Sequence, residues 1–332
     1  MARKTLPPEL LARVSNTRIG TPYCDGALAR LDQVYRGSML GALANLLLVG
    51  ETGTGKTAVL ELFRQRHPPS RTAAGVVRPV LFAKTPANPT PISLMERLLK
   101  ALGDPKPTHG TAGTKSMRIA TLIEGQGVRL LLVDDLQHMV DKKTDFAVYE
   151  AADCLKEIVT ESNISLVGAG LYDAMTVVRS NEQLIRRHLS PIVMPRFDWA
   201  EHDSRECFAG LLKGFRLNLP ELDMPELEST EMAFRIYLSS GGLVGLVANL
   251  LQQVVWDAVD KQAAVIRLAD FAIAHSKAAF DGDQYNPFLP RFDLAKGVED
   301  RIAMAKKIAA RVPRPRRGSV PTPKIRLAQV GL

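Results

Sequence analysis

Apolar runs and apolar stripes alternate along the first two thirds of the chain. Residues 25–39 (DGALARLDQVYRGSM) place Ala27, Leu28, Leu31, Val34 and Tyr35 at helical spacing. Residues 43–50 (LANLLLVG) follow as a short unbroken apolar run, the pattern of a strand buried on both faces. The alternation then repeats. Helices are predicted over 57–67, 92–103, 116–127, 148–162 and 181–189, and strands over 78–84, 128–135, 164–170 and 191–197. In the 92–103 helix Leu94, Leu98 and Leu102 share a face, and Ser93 is the capping candidate. The Gly/Pro/Thr-rich stretch 104–115 reads as loop, and residues 1–22 as irregular. Strands alternating with helices predict an α/β domain with a parallel sheet covered on both faces.

After Phe197 the strands stop. Residues 199–217, 225–240, 243–261 and 268–280 read as helices only. The organisation expected is a lead-in over 1–24, an α/β nucleotide-binding domain over 25–198, a helical lid over 199–283 and a flexible basic tail over 284–332. Within that tail, 312–324 (VPRPRRGSVPTPK) has no means of building a core and reads as mobile.

Composition adds little until charge is placed along the chain. The 332 residues are 46% apolar, ordinary for a globular protein, and no window approaches a membrane-spanning run. Cys24, Cys154 and Cys207 show no paired spacing, so neither zinc nor a disulfide framework is expected. With no secretory pattern at the N-terminus, the expected location is the cytoplasm. The net charge of +8 is uneven: residues 56–118 carry 11 basic and 3 acidic side chains, and residues 285–332 carry the same numbers. Two basic segments around an acidic middle point to contact with a polyanion at two places.

The candidate chemistry starts where the first strand breaks into glycines. Gly50, Glu51, Thr52, Gly53, Thr54, Gly55, Lys56 and Thr57 fit G-x-x-x-x-G-K-[ST] between a strand and a helix. Such a loop curls so that successive backbone N–H groups face phosphate oxygens, aided by the helix N-terminus. Lys56 can reach the β- and γ-phosphates, and the Thr57 hydroxyl can take a magnesium position. The strand 128–135 delivers two carboxylates at its C-terminal end: Asp134 for Mg²⁺ and Asp135 to polarise an attacking water. Arg186 and Arg187, ahead of the fifth strand, offer a guanidinium to a γ-phosphate across a subunit boundary.

Together these segments resemble the AAA+ ATPases, and within them the transposition regulators of the TnsC/TniB type. The resemblance rests on NLLLVGETGTGKTAVL, RIGTPYCDGALARLD, ISLVGAGLYDA with NEQLIRRH, GGLVGLVANLL and YNPF, and spans about residues 13–290. It implies a five-stranded parallel sheet in the order 5-1-4-3-2, with ATP and Mg²⁺ as cofactors. It also implies self-association into a ring or filament, as a heptamer or a hexamer per turn. The implied partners are duplex DNA bound without sequence preference, a TnsB-like transposase and a TniQ-like targeting protein. Arg187 matches the family's finger position, although His188 stands where the family has Phe. The chain departs from the family elsewhere too. Asp135 replaces Glu, Ala169 replaces a Thr that senses the γ-phosphate, and Leu246 replaces the lid arginine. These changes imply slow hydrolysis.

In the family, loops of the α/β domain grip DNA. The matching segments here, 84–93 and 105–118, fall inside the basic block, and offer Lys84, Lys106, Lys115 and Arg118 to phosphates with Thr111 and Thr114 as hydrogen-bonding partners. The tail, with its NPF and RVPRPRRG, is a candidate hook for a partner. Two other readings stay open: a helicase loader or replication initiator of the AAA+ type, and a P-loop kinase acting on a small molecule.

Overall fold

Leu47 and Val49 of strand β1 (Leu46–Val49) point to one side of a sheet, Leu46 and Leu48 to the other, and all four are buried. The same division runs through β4 (Val80–Lys84), β5 (Leu130–Asp134) and β6 (Ser165–Gly170). Strands buried on both faces need helices on both. On one face lie α2 (Pro22–Met39) and α3 (Lys56–Arg66). On the other lie α4 (Pro91–Leu102), α5 (Ala112–Gly125), α6 (Asp145–Glu161) and α7 (Ala174–Arg179). The computed structural model describes residues 5–73, 75–87, 89–140, 145–180, 186–278, 286–290 and 298–309.

With β7 (Ile192–Val193) the sheet has five strands in the order β4-β5-β6-β1-β7, every neighbouring pair parallel. Counting only these strands, and from the opposite edge, this is the 5-1-4-3-2 order that the resemblance implies. An antiparallel hairpin, β2 (Ser70–Thr72) with β3 (Gly75–Val77), follows α3 and was not predicted, being too short and too exposed to show an alternating pattern.

α4 follows β4, whose last residue, Lys84, is the register partner of Asp134 at the end of β5. Helix α4 is capped by Thr90, whose hydroxyl accepts from Ser93 N while Ser93 caps it reciprocally. The cap lies three residues before the Ser93 expected from sequence. Helix α5 starts at Ala112, capped by Thr111, earlier than the 116 expected. Of the predicted 181–189 helix, residues 181–185 lie outside the described residues.

The helical body comprises α8 (His202–Leu217), α9 (Thr230–Ser240), α10 (Val244–Lys261) and α11 (Leu268–Ala278), around Phe208, Tyr237, Val255 and Phe271. Two segments expected outside it belong to its core. The supposed irregular lead-in holds α1 (Leu10–Asn16), with Leu6, Leu10 and Val14 buried in the helical core. Arg13 pairs with Glu221, and Gln252 Nε2 and Trp256 Nε1 both donate to the Leu11 carbonyl. The supposed flexible tail contributes Phe288, fully buried and stacked on Phe271 at 5.6 Å, and helix α12 (Val298–Ala309), with Ala305 in the same core. Buried Arg235 donates to the Pro287 carbonyl. NPF is therefore an internal anchor here and not an exported hook. The proline- and arginine-rich run 312–324 lies outside the described residues.

Candidate functional site

The glycine-rich loop leaves β1 and packs against the last sheet strand. A Cβ on Gly50 would stand 2.3 Å from the Met194 carbonyl oxygen, so no larger residue fits this exit. Lys56 opens α3 and is 9% exposed; its ammonium donates to the carbonyls of Gly50 (2.9 Å) and Glu51 (2.7 Å). Burial pushes this ammonium below the ordinary lysine range, against the opposing pull of Asp134, Asp135 and Glu51.

Asp134 ends β5 beside the loop, 1% exposed. Its Oδ2 accepts from Thr57 Oγ1 at 2.7 Å and its Oδ1 from the Asp135 N–H at 3.0 Å. Burial raises its pKa and the Thr57 bond opposes the rise. Thr85, at the end of the neighbouring β4, donates both its N–H and its hydroxyl to the Asp134 carbonyl, each at 2.9 Å. Asp135 sits in the left-handed region (φ 59°, ψ 38°), which Asp tolerates better than most residues. Its Oδ1 accepts from Gln137 Nε2 at 3.1 Å, and Gln137 Oε1 accepts from the Leu171 N–H just past β6. Gln137 thus places a polar side chain beside the end of the strand that carries Ala169. Sequence reasoning missed it because the residue lies beyond the paired carboxylates.

These groups line one cavity of about 430 Å³. Its floor is the loop from Thr52 to Thr57 with Asp134, Asp135 and Gln137, and its apolar end is formed by Ile19, Leu62, Met194, Phe215 and Val244. The volume and the division into polar and apolar ends suit a nucleotide. The helical body closes over the loop: Gly245 N, in the first turn of α10, donates to the Gly53 carbonyl at 2.8 Å. A Cβ on Gly245 would meet Gly53 Cα at 3.0 Å, so this approach is glycine on glycine. Thr57 and Asp134 also fit a magnesium ion, whose neighbouring oxygen ligands stand about 3 Å apart. Among the described residues no cluster of three His, Cys, Asp or Glu side chains offers a metal cage of its own.

Glu51 is taken by a residue that the sequence did not single out. Arg196, just past β7, donates Nε to Glu51 Oε1 at 2.7 Å and Nη2 to Oε2. Its Nη1 donates to the Gly241 carbonyl at 3.1 Å and to the Lys306 carbonyl of α12 at 3.3 Å. The Arg196 hydrogen bonds hold the Glu51 carboxyl below the usual carboxylate range. The partners lie 145 residues apart in sequence, with no local pattern linking them.

Arg187 is far from this cavity in its own subunit. Its carbonyl accepts from Asn45 N, at the start of β1, so about five strand residues, roughly 16 Å, separate it from the loop. Both Arg186 and Arg187 are exposed. Of the predicted DNA-contacting residues, Lys84, Lys106, Thr111 and Thr114 are exposed: Lys84 ends β4, Thr111 and Thr114 open α5, and Lys106 lies just past the end of α4. Lys115 does not match its expected role. It is 3% exposed, its ammonium donating to the carbonyls of Thr108 (3.0 Å) and Gly110 (2.7 Å) and pairing with Glu96. Arg118 likewise braces the loop, through Asp104 and the carbonyls of His109 and Lys106. Their charges are spent within the chain, where sequence counting had assigned them to a partner.

The bacterial TniB protein family matches residues 12–199 of the chain. No protein of curated function matches it. Among solved structures, Cdc6p from Pyrobaculum aerophilum is similar with a TM-score of 0.61 at 14% identity, over 83% of this chain and 72% of that one. Orc1 of Aeropyrum pernix in complex with DNA gives 0.57 at 17% identity, over 81% and 69%. ORC2 of the same organism, in ADPNP-ADP complexes, gives 0.57 at 15%, over 82% and 72%. At such identities these likenesses speak for the fold, that of the AAA+ ATPases.

Proposed function

Because the chain belongs to the TniB family and has the AAA+ ATPase fold, we propose that it is an ATP-dependent, DNA-binding regulator of transposition. In this reading it assembles on duplex DNA with ATP bound, links a TniQ-like targeting factor to a TnsB-like transposase, and comes apart on hydrolysis. The observation that carries the reading is spatial. The phosphate loop, Thr57 and Asp134 converge at the strand ends where exposed Lys84 is the register partner of Asp134.

Lys56 and the loop N–H groups hold the phosphates. Thr57 and Asp134 would hold Mg²⁺, which would neutralise phosphate charge. Asp135, oriented by Gln137, positions the attacking water. Arg187 cannot serve its own loop across the length of β1, so its role is in the neighbouring subunit's site. That places the nucleotide at a subunit boundary and makes assembly depend on its state. Lys84, Lys106 and the capped starts of α4 and α5 meet the DNA backbone, which helix N-termini and ammonium groups contact without reading bases. Orc1, which shares the fold, forms a complex with DNA, and this supports the reading.

Negative-stain imaging with duplex DNA tests the proposal under ATP, a slowly hydrolysed analogue and ADP. Ordered assemblies are expected with ATP and the analogue and not with ADP. A chain that stays single and off DNA in all three, with and without the partner proteins, overturns it.

A further inference from the structure

One largely buried guanidinium joins three parts of the molecule. Arg196, with a side chain 13% exposed, holds the phosphate loop through both Glu51 oxygens, the end of α9 through the Gly241 carbonyl, and α12 through the Lys306 carbonyl. Its donors form a rigid planar fork, so moving one partner re-aims the rest. Helix α12 lines no part of the nucleotide cavity. It is docked by the buried Ala305 and by Lys306 Nζ, which donates to Asp198 Oδ2 at 2.7 Å, two residues beyond Arg196. Among the described residues, Arg196 is thus the bridge from this helix to the loop.

We propose that Arg196 is a positioning residue for the phosphate loop and that α12 acts through it, so that undocking this helix loosens the grip on ATP. The proposal rests on the ATP-binding reading above. Losing the Lys306 carbonyl leaves a donor of a mostly buried cation unpaired, which favours rotation of the fork away from Glu51. The linkage is reciprocal: ATP on the loop tightens the docking of α12 by the factor with which α12 tightens ATP.

The test measures the Kd of a fluorescent ATP analogue on the full chain, alongside hydrogen exchange of α12 with and without ATP. Ala305→Arg, which cannot seat in the buried position, and Arg196→Ala should each weaken binding about tenfold. Their combination should add little, because both break one path. Asp198→Asn removes the charge partner of Lys306 and should give a smaller loss in the same direction, with the fold intact by circular dichroism. Lys307→Ala, exposed on the same helix, should bind as the parent does. ATP should slow exchange in α12. Parent-like binding by folded Ala305→Arg and Asp198→Asn, or exchange in α12 indifferent to ATP, overturns the proposal. Failure of the parent chain to bind the analogue overturns the ATP-binding reading instead.

Discussion

Gly50 leaves just enough room for the Met194 carbonyl, and Gln137 gives Asp135 a partner. Each supports a residue-scale prediction. Gly50→Ala drives a methyl into backbone that cannot yield, so stability should fall by about 1–3 kcal/mol, read from urea titration, with nucleotide binding lost alongside. Gln137→Leu removes the hydrogen bond to Asp135 and leaves the loop alone. ATP turnover should slow roughly threefold to tenfold at unchanged ATP affinity; a matching loss of affinity would show that Gln137 supports the pocket and not the water. What could be read at this scale from sequence was the local part of the site. Gly50 to Thr57 and the Asp134–Asp135 pair each sit in one short segment whose residue order states its chemistry. Arg196 and Gln137 are defined by what they reach across the fold. Lys115 and Arg118 were legible as charges, but not as charges satisfied by neighbouring carbonyls.

At the scale of elements, the strands and long helices followed from apolar spacing because each has a face that must be buried. The misjudged pieces are the short α1 and hairpin β2–β3, and the NPF turn with α12. A seven-residue helix such as α1 is not stable alone, and forms because Leu10 and Val14 find a core made by distant helices. No local window contains that core. The prediction here concerns the anchor. Phe288→Ala empties a fully buried ring site against Phe271 and His275 and should cost about 3–5 kcal/mol. A loss under about 1 kcal/mol in equilibrium denaturation would show that the NPF turn is merely laid on the surface.

At the scale of the whole molecule, Arg187 and the phosphate loop lie at opposite ends of β1, so in the proposed assembly the guanidinium would come from a neighbouring chain. Arg187→Ala and Asp135→Asn should each hydrolyse ATP poorly alone. Mixed, they should recover part of the parent rate, since a chain with intact Asp135 can receive the guanidinium of its neighbour. No recovery in co-assembled mixtures removes the assignment in trans. For DNA, Lys84→Glu and Lys106→Glu should weaken duplex binding, each lowering the salt slope by about one as a phosphate loses its ammonium partner. Lys115→Met should reduce thermal stability instead, because its ammonium holds the loop before α5.

Lys84 and Asp134 face each other across adjacent strands, about 4.8 Å apart in the ladder direction. Burial pushes the Asp134 carboxyl towards its neutral form, and the ammonium of Lys84 is among the groups that oppose this. A polyanion that settles on Lys84 compensates that positive charge and weakens its field at the carboxylate. In the proposed assembly the pairing of these two strands would let a double helix resting on Lys84 be felt at Asp134 without any element having to move.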